Sequence, residues 1–185
     1  MAITRIGNPA IADVREPNFR NIIINGGMDL AQRGTSVTGL QNSASYLIDR
    51  FSYRRSGTWT TATYTMSQST DTPTGQGFAN SAKIDVTASE VSPPSDVFSA
   101  FNTKIEGQNL QYLKKGTANA QSVTMSFWVK SNKTGTYIVG INDVDNTRAI
   151  SKSYTVDVAN TWEKKTITFE GDTTGALDNN NGESF

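Results

Sequence analysis

The segment QSVTMSFWVKSN, residues 121–132, alternates apolar and polar side chains through almost its whole length. Val123, Met125, Phe127 and Val129 fall on one face; Ser122, Thr124, Ser126, Trp128 and Lys130 fall on the other. A period of two belongs to a strand buried on one side, and it scatters apolar groups around a helix. The same period recurs along the chain. In GTWTTATYTMSQS, Ala62, Tyr64 and Met66 oppose Trp59, Thr61 and Thr63. AKIDVTA turns Ala82, Ile84 and Val86 inward, and TYIVGIND (136–143) and AISKSYTVDV predict two further strands. WEKKTITFEG sets Ile167 and Phe169 against Trp162, Lys164, Thr166 and Thr168.

The remaining segments fit the same class. NIIIN, 21–25, reads as a strand buried on both faces and closed by Gly26-Gly27. SYLIDRFSYRR, 45–55, carries aliphatic or aromatic groups on both faces, as a strand between two layers would, and Ser56-Gly57-Thr58 reads as a hairpin turn to the next strand. Residues 35–44 read as a polar loop. GQNLQYLKKG is the best helical stretch, with Leu110 and Leu113 three apart and Lys114-Lys115 before Gly116. The total, about eight strands with turn signals between them, predicts an all-β fold: an antiparallel jelly-roll β-sandwich with one short helix. It spans 21–185, behind an extended N-terminal arm over 1–20 that carries Pro9 and Pro17. Near the end, NNNG is a turn and ESF resembles the opening of a strand. The expectation is a closing strand beyond Phe185; the alternative is a short edge strand that ends there.

Composition narrows the chemistry. Hydrophobic residues make up 36%, and Thr, Ser, Asn and Gly fill much of the remainder, which suits strands and polar turns. Seventeen basic residues balance seventeen acidic ones, so no overall field favours nucleic acid. No apolar run is long enough to span a bilayer, and MAITRIGNPAIADVREP lacks the apolar region of a signal peptide. Cys and His are absent, which excludes disulfides, thiolate metal sites and His-based catalytic triads. Seven of the eight arginines fall in the first 55 residues. Arg5, Arg15 and Arg20 on the arm form a candidate interface with a protein partner or a second subunit, Arg being favoured over Lys in such contacts; ordinary surface pairing is the alternative.

Four groups of side chains are of the residue types that sites use. Gly26-Gly27 lacks the following helix and motif of a phosphate loop and reads as a strand-end turn needing positive φ. Asn25, Asp29, Asp143 and Asp145 offer oxygens of the kind a structural Ca²⁺ takes, although Asx-rich turns use the same residues without metal. Carboxylates such as Asp143 and Asp145 do not form an evident acid–base pair, and no nucleophile–base constellation is present, so the chain is expected not to be an enzyme. Trp128 and Trp59 lie on polar strand faces, where an indole ring can pack on the apolar face of a sugar; cover by a second layer or a neighbouring subunit is the other reading.

The ordered segments FRNIIINGGMDLAQRGTS, YLIDRFSYRRSG, SVTMSFWVKSNKTGTY and NTWEKKTITFEGDTTGAL together resemble the carbohydrate-binding-module-like jelly-roll domains of bacteriophage tail fibres and related virion proteins, notably those of marine phages. The resemblance covers about 18–185. It implies that Asn25-Gly26-Gly27 is the turn after the first strand and that Gln32-Arg33-Gly34 packs the opener on the sandwich. It further implies a structural and adsorption role without catalysis, an anchoring arm, and a homotrimer. Three functional expectations follow: a tail fibre or fibre-like appendage of a virion, made in the host cytoplasm without a signal peptide and attaching to the host surface; a module that binds host surface polysaccharide; and a decoration protein on the capsid surface.

Overall fold

The computed structural model describes residues 21–41 and 44–185. The arm over 1–20, with Arg5, Arg15 and Arg20, lies outside the described residues. Nine strands are formed among the described residues: β1 (Ser36–Leu40), β2 (Phe51–Ser56), β3 (Thr63–Ser69), β4 (Ser81–Ala88), β5 (Phe98–Thr103), β6 (Val123–Val129), β7 (Gly135–Asp143), β8 (Arg148–Val156) and β9 (Glu163–Phe169). Every pairing between them is antiparallel. The sheets run β1-β3-β4, β2-β5, β6-β9 and β7-β8. The all-β class read from the period-two segments is therefore observed.

Two apolar clusters organise these sheets. In the first, Leu47, Ile48, Phe51 and Met66 are buried, with Val37, Leu40, Tyr53, Ala82 and Ile84 packed around them. This cluster joins β1-β3-β4 to β2, and the Tyr53 and Tyr64 rings meet edge to face at 4.4 Å. The second cluster is Leu110, Leu113 and Leu177, flanked by Ile22, Ile105, Tyr112, Val123 and Phe185. Full burial of a Leu, Ile or Met side chain is worth about 1.5–3 kcal/mol, so each cluster is a substantial local anchor. The β7-β8 ribbon lies against β6-β9: Tyr154 meets Phe127 edge-on at 5.1 Å, and Lys152 Nζ donates to Thr168 O at 2.7 Å.

Several local expectations are corrected. NIIIN is not a strand. Residues 24–27 form a turn, and the positive φ falls on Asn25 (58°) and Met28 (60°), not on the two glycines. The reason is a division of labour: Ile22 packs on the Leu110 cluster, Ile23 on the Met66 cluster, and Ile24 stays 53% exposed. The polar loop read over 35–44 contains β1, which Val37 docks opposite Met66. Regular strand over 45–55 begins only at Phe51, after a turn in which Arg50 has φ 72° and Phe51 N–H donates to Ile48 O.

No hairpin forms at 56–58. β2 pairs with β5, whereas β3 pairs with β1 and β4. Val86, read as inward, is 62% exposed near the end of edge strand β4. In place of one short helix, GQNLQYLKKG forms two 3-10 turns, Gly107–Asn109 and Gln111–Leu113, stopped by Lys114 in the left-handed region. The three-residue spacing of Leu110 and Leu113 suits a three-residue turn and brings both into one cluster. The ESF segment does pair: Ile105 N–H donates to Phe185 O and Ser184 N–H to Ile105 O. Among the described residues no helix is long and apolar enough to cross a membrane.

Candidate functional site

The β6-β9 register fixes two chemically different faces. Val123 lies opposite Phe169 and Met125 opposite Ile167, directed at the interior. On the outward face the opposed pairs are Thr124 with Thr168, Ser126 with Thr166, and Trp128 with Lys164. The two threonine hydroxyls hydrogen-bond at 2.9 Å, giving a hydroxyl ladder that leads to Trp128. Cross-strand pairs of this kind stabilise the strand pairing and keep its side chains in register.

One end of the face is built by a third element. Asp71 lies in the loop after β3, where its N–H donates to Ser69 Oγ and its carbonyl accepts from Ser81 Oγ at 2.8 Å. Its carboxylate reaches the β6-β9 sheet: Oδ2 accepts from Lys130 Nζ at 2.6 Å, and Oδ1 from the Trp162 indole Nε1–H at 3.0 Å. The Lys130 ammonium also lies 6.0 Å from the centre of the Trp162 ring. Those two donors, Lys130 first, hold the Asp71 carboxyl below its ordinary value. Lys130 is two residues from Trp128 on β6, so Trp162 and Trp128 flank the same end of this face, both half-buried. Two indoles, a fixed carboxylate, lysines and hydroxyls are the donor and acceptor set that a polyhydroxylated ligand uses, with the rings supplying apolar contact.

Trp59, the second candidate ring, sits elsewhere. Its indole N–H donates to Ser56 O at 2.9 Å, and the buried Arg55 guanidinium covers one ring face at 3.8 Å. The four oxygen-bearing residues read as possible Ca²⁺ ligands are engaged with protein groups. Asn25 spans Leu30 and Asp49: its Nδ2 donates to both carbonyls, at 3.0 and 2.8 Å, and its Oδ1 accepts from Leu30 N–H. Asp29 Oδ1 accepts from Asn80 Nδ2. Asp143 Oδ2 lies 2.5 Å from Lys115 Nζ, and Asp145 Oδ2 accepts from Asp178 N–H and Ser184 Oγ. Among the described residues no group of three or more carboxylates is arranged to hold a metal ion.

Sequence reasoning missed Trp162 and Asp71. The alternation had placed Trp162 on the face with Lys164 and Thr166, so its phase was the available signal. Asp71 carried none, because its loop meets β6 only in three dimensions. Comparison with family models, with curated proteins and with solved structures finds no match.

Proposed function

We propose that this chain is a structural protein of a bacteriophage virion, a tail fibre or fibre-like appendage, whose outward β6-β9 face contacts host surface polysaccharide. The ordered motifs from FRNIIINGG to NTWEKKTITF support the virion assignment. The observation that carries the ligand class is the joining of Trp128, Trp162, Lys130 and Asp71 on one hydroxyl-lined face. On this reading the domain is a jelly-roll sandwich, supported by the non-sequential pairings β2-β5 and β6-β9. The role is adhesive: the rings and hydroxyls bind and orient a glycan, and no bond is cleaved. Homotrimeric assembly and attachment through residues 1–20 belong to the same proposal.

The test is tryptophan fluorescence during titration with polysaccharide purified from host cells. The expected result is saturable quenching that Trp128→Ala abolishes and Trp59→Phe leaves in place. Quenching unchanged in Trp128→Ala would remove the ligand reading. Immunogold labelling of native particles separates the locations: label at the tail supports the fibre, and label over the capsid shell favours the decoration protein.

A further inference from the structure

Lys115 is an unusual lysine. Its side chain is only 8% exposed, and that of its partner Asp143 only 5%. Asp143 Oδ2 lies 2.5 Å from Lys115 Nζ and also accepts from the carboxamide Nδ2 of Asn146 at 3.0 Å. One carboxylate oxygen therefore touches both an amine and an amide nitrogen. Gly175 brings the same two side chains together from the other side. Its carbonyl accepts from Lys115 Nζ at 2.7 Å, and the place a Cβ would take is 2.5 Å from Asn146 Oδ1. Asn146 is further fixed by its backbone N–H on Asp143 Oδ1 and by Nδ2 donation to Ala176 O. Asp172, 3.2 Å from Lys115 and bound to Arg148, closes the group.

We propose that Lys115 and Asn146 form an intramolecular isopeptide bond, with Asp143 as the proton shuttle. Asp143 takes a proton from the Lys115 ammonium across their direct contact. The neutral Nζ attacks Asn146 Cγ and the C=O pair moves to Oδ1. On collapse of the tetrahedral carbon the C–Nδ2 bond breaks, and the leaving nitrogen takes the proton held by Asp143. Nζ retains one hydrogen as the new amide, and the remaining proton leaves with ammonia as ammonium. No oxidant or cofactor enters the balance. Fixed positions for nucleophile, shuttle and leaving group replace the entropy that would otherwise oppose amide exchange. The product joins the segment after the second 3-10 turn to the β7-β8 turn, a covalent staple beneath residues 172–178.

Denaturing mass spectrometry of the intact 185-residue protein, followed by proteolysis, tests the bond. The expected mass is one ammonia below the sequence mass, and the digest contains a branched peptide linking Lys115 to Asn146. Lys115→Arg keeps a cation beside Asp143 but cannot form the bond, and is expected at full mass. A full mass in the parent protein overturns the proposal. So does loss of water with Asp143 as the acyl partner, or an ammonia loss that persists in Lys115→Arg, which is a succinimide at Asn146. Should Lys115→Arg fail to fold, the parent digest decides alone: the branched peptide supports the bond, and its absence overturns it.

Discussion

The guanidinium of Arg55 lies 3.8 Å from the centre of the Trp59 ring and 5.4 Å from that of Tyr64, while its Nη1 donates to Ala62 O at 2.8 Å. A buried cation is thus placed between two rings, tying β2 to the entry of β3 although the two strands do not pair. A hydrogen bond from a charged donor and a desolvated cation–π contact are each worth about 1–3 kcal/mol. Arg55→Ala is expected to destabilise the fold by about 2–4 kcal/mol, and Arg55→Lys by roughly half of that, because an ammonium loses the planar stacking. Urea unfolding followed by circular dichroism measures both; an Arg55→Lys variant as stable as the parent would show that planarity is immaterial.

Asn25, on a left-handed backbone, closes the opener on itself with two side-chain hydrogen bonds to Leu30 and holds it to the turn before β2 with a third, to Asp49 O. Asn tolerates that backbone better than Ala does. Asn25→Ala is expected to cost about 2 kcal/mol, and Asn25→Gly somewhat less, since Gly relieves the backbone while losing the same bonds. The order of the two midpoints in thermal unfolding is the readout.

Gly107 has no room for a methyl group: a Cβ there would overlap the Asp178 carbonyl and Ser184 Oγ. Its N–H donates to Gly182 O, and the neighbouring Gln108 N–H to Asn180 O. Gly107→Ala is therefore expected to lift residues 178–185 from the 3-10 turns. Limited proteolysis should cut near Asn180 faster than in the parent, with little change in cleavage within β3.

Glu90 and Glu106 predict an acid limb. Glu90 is held at about 2 by the Thr61 N–H, the Thr60 hydroxyl and the neighbouring N–H groups, and Glu106 at about 2 chiefly by Arg50, whose guanidinium grips both carboxylate oxygens. Both folded values lie below the ordinary glutamate value, so the folded state binds fewer protons than the unfolded state in between. Their stabilisation is complete above the ordinary range and is lost as pH falls through it towards about 2. Glu106→Gln should flatten the decline of the urea midpoint over that window; an unchanged slope would mean the Arg50 pair contributes nothing.

Period-two alternation determined β6 and β9 and the inward placement of Ala62, Tyr64 and Met66, because a half-buried strand writes its exposure into its own residues. It also gave the phase of Trp128 and Trp162, and hence half of the candidate face. Composition alone disposed of His- and Cys-based chemistry. Partner choice was not legible. β2 could not be seen to prefer β5 over β3, since both pairings satisfy the same local pattern and only packing around Phe51 and Met66 separates them. Ile22 and Ile23 looked like one strand because adjacent apolar residues do not say which cluster each enters. Asp71 on Trp162, Lys115 on Asp143 and Gly107 beneath the chain end are contacts between segments distant in sequence. Tertiary structure alone decided them, because such hydrogen bonds and exclusions exist only once separate sheets have been brought together.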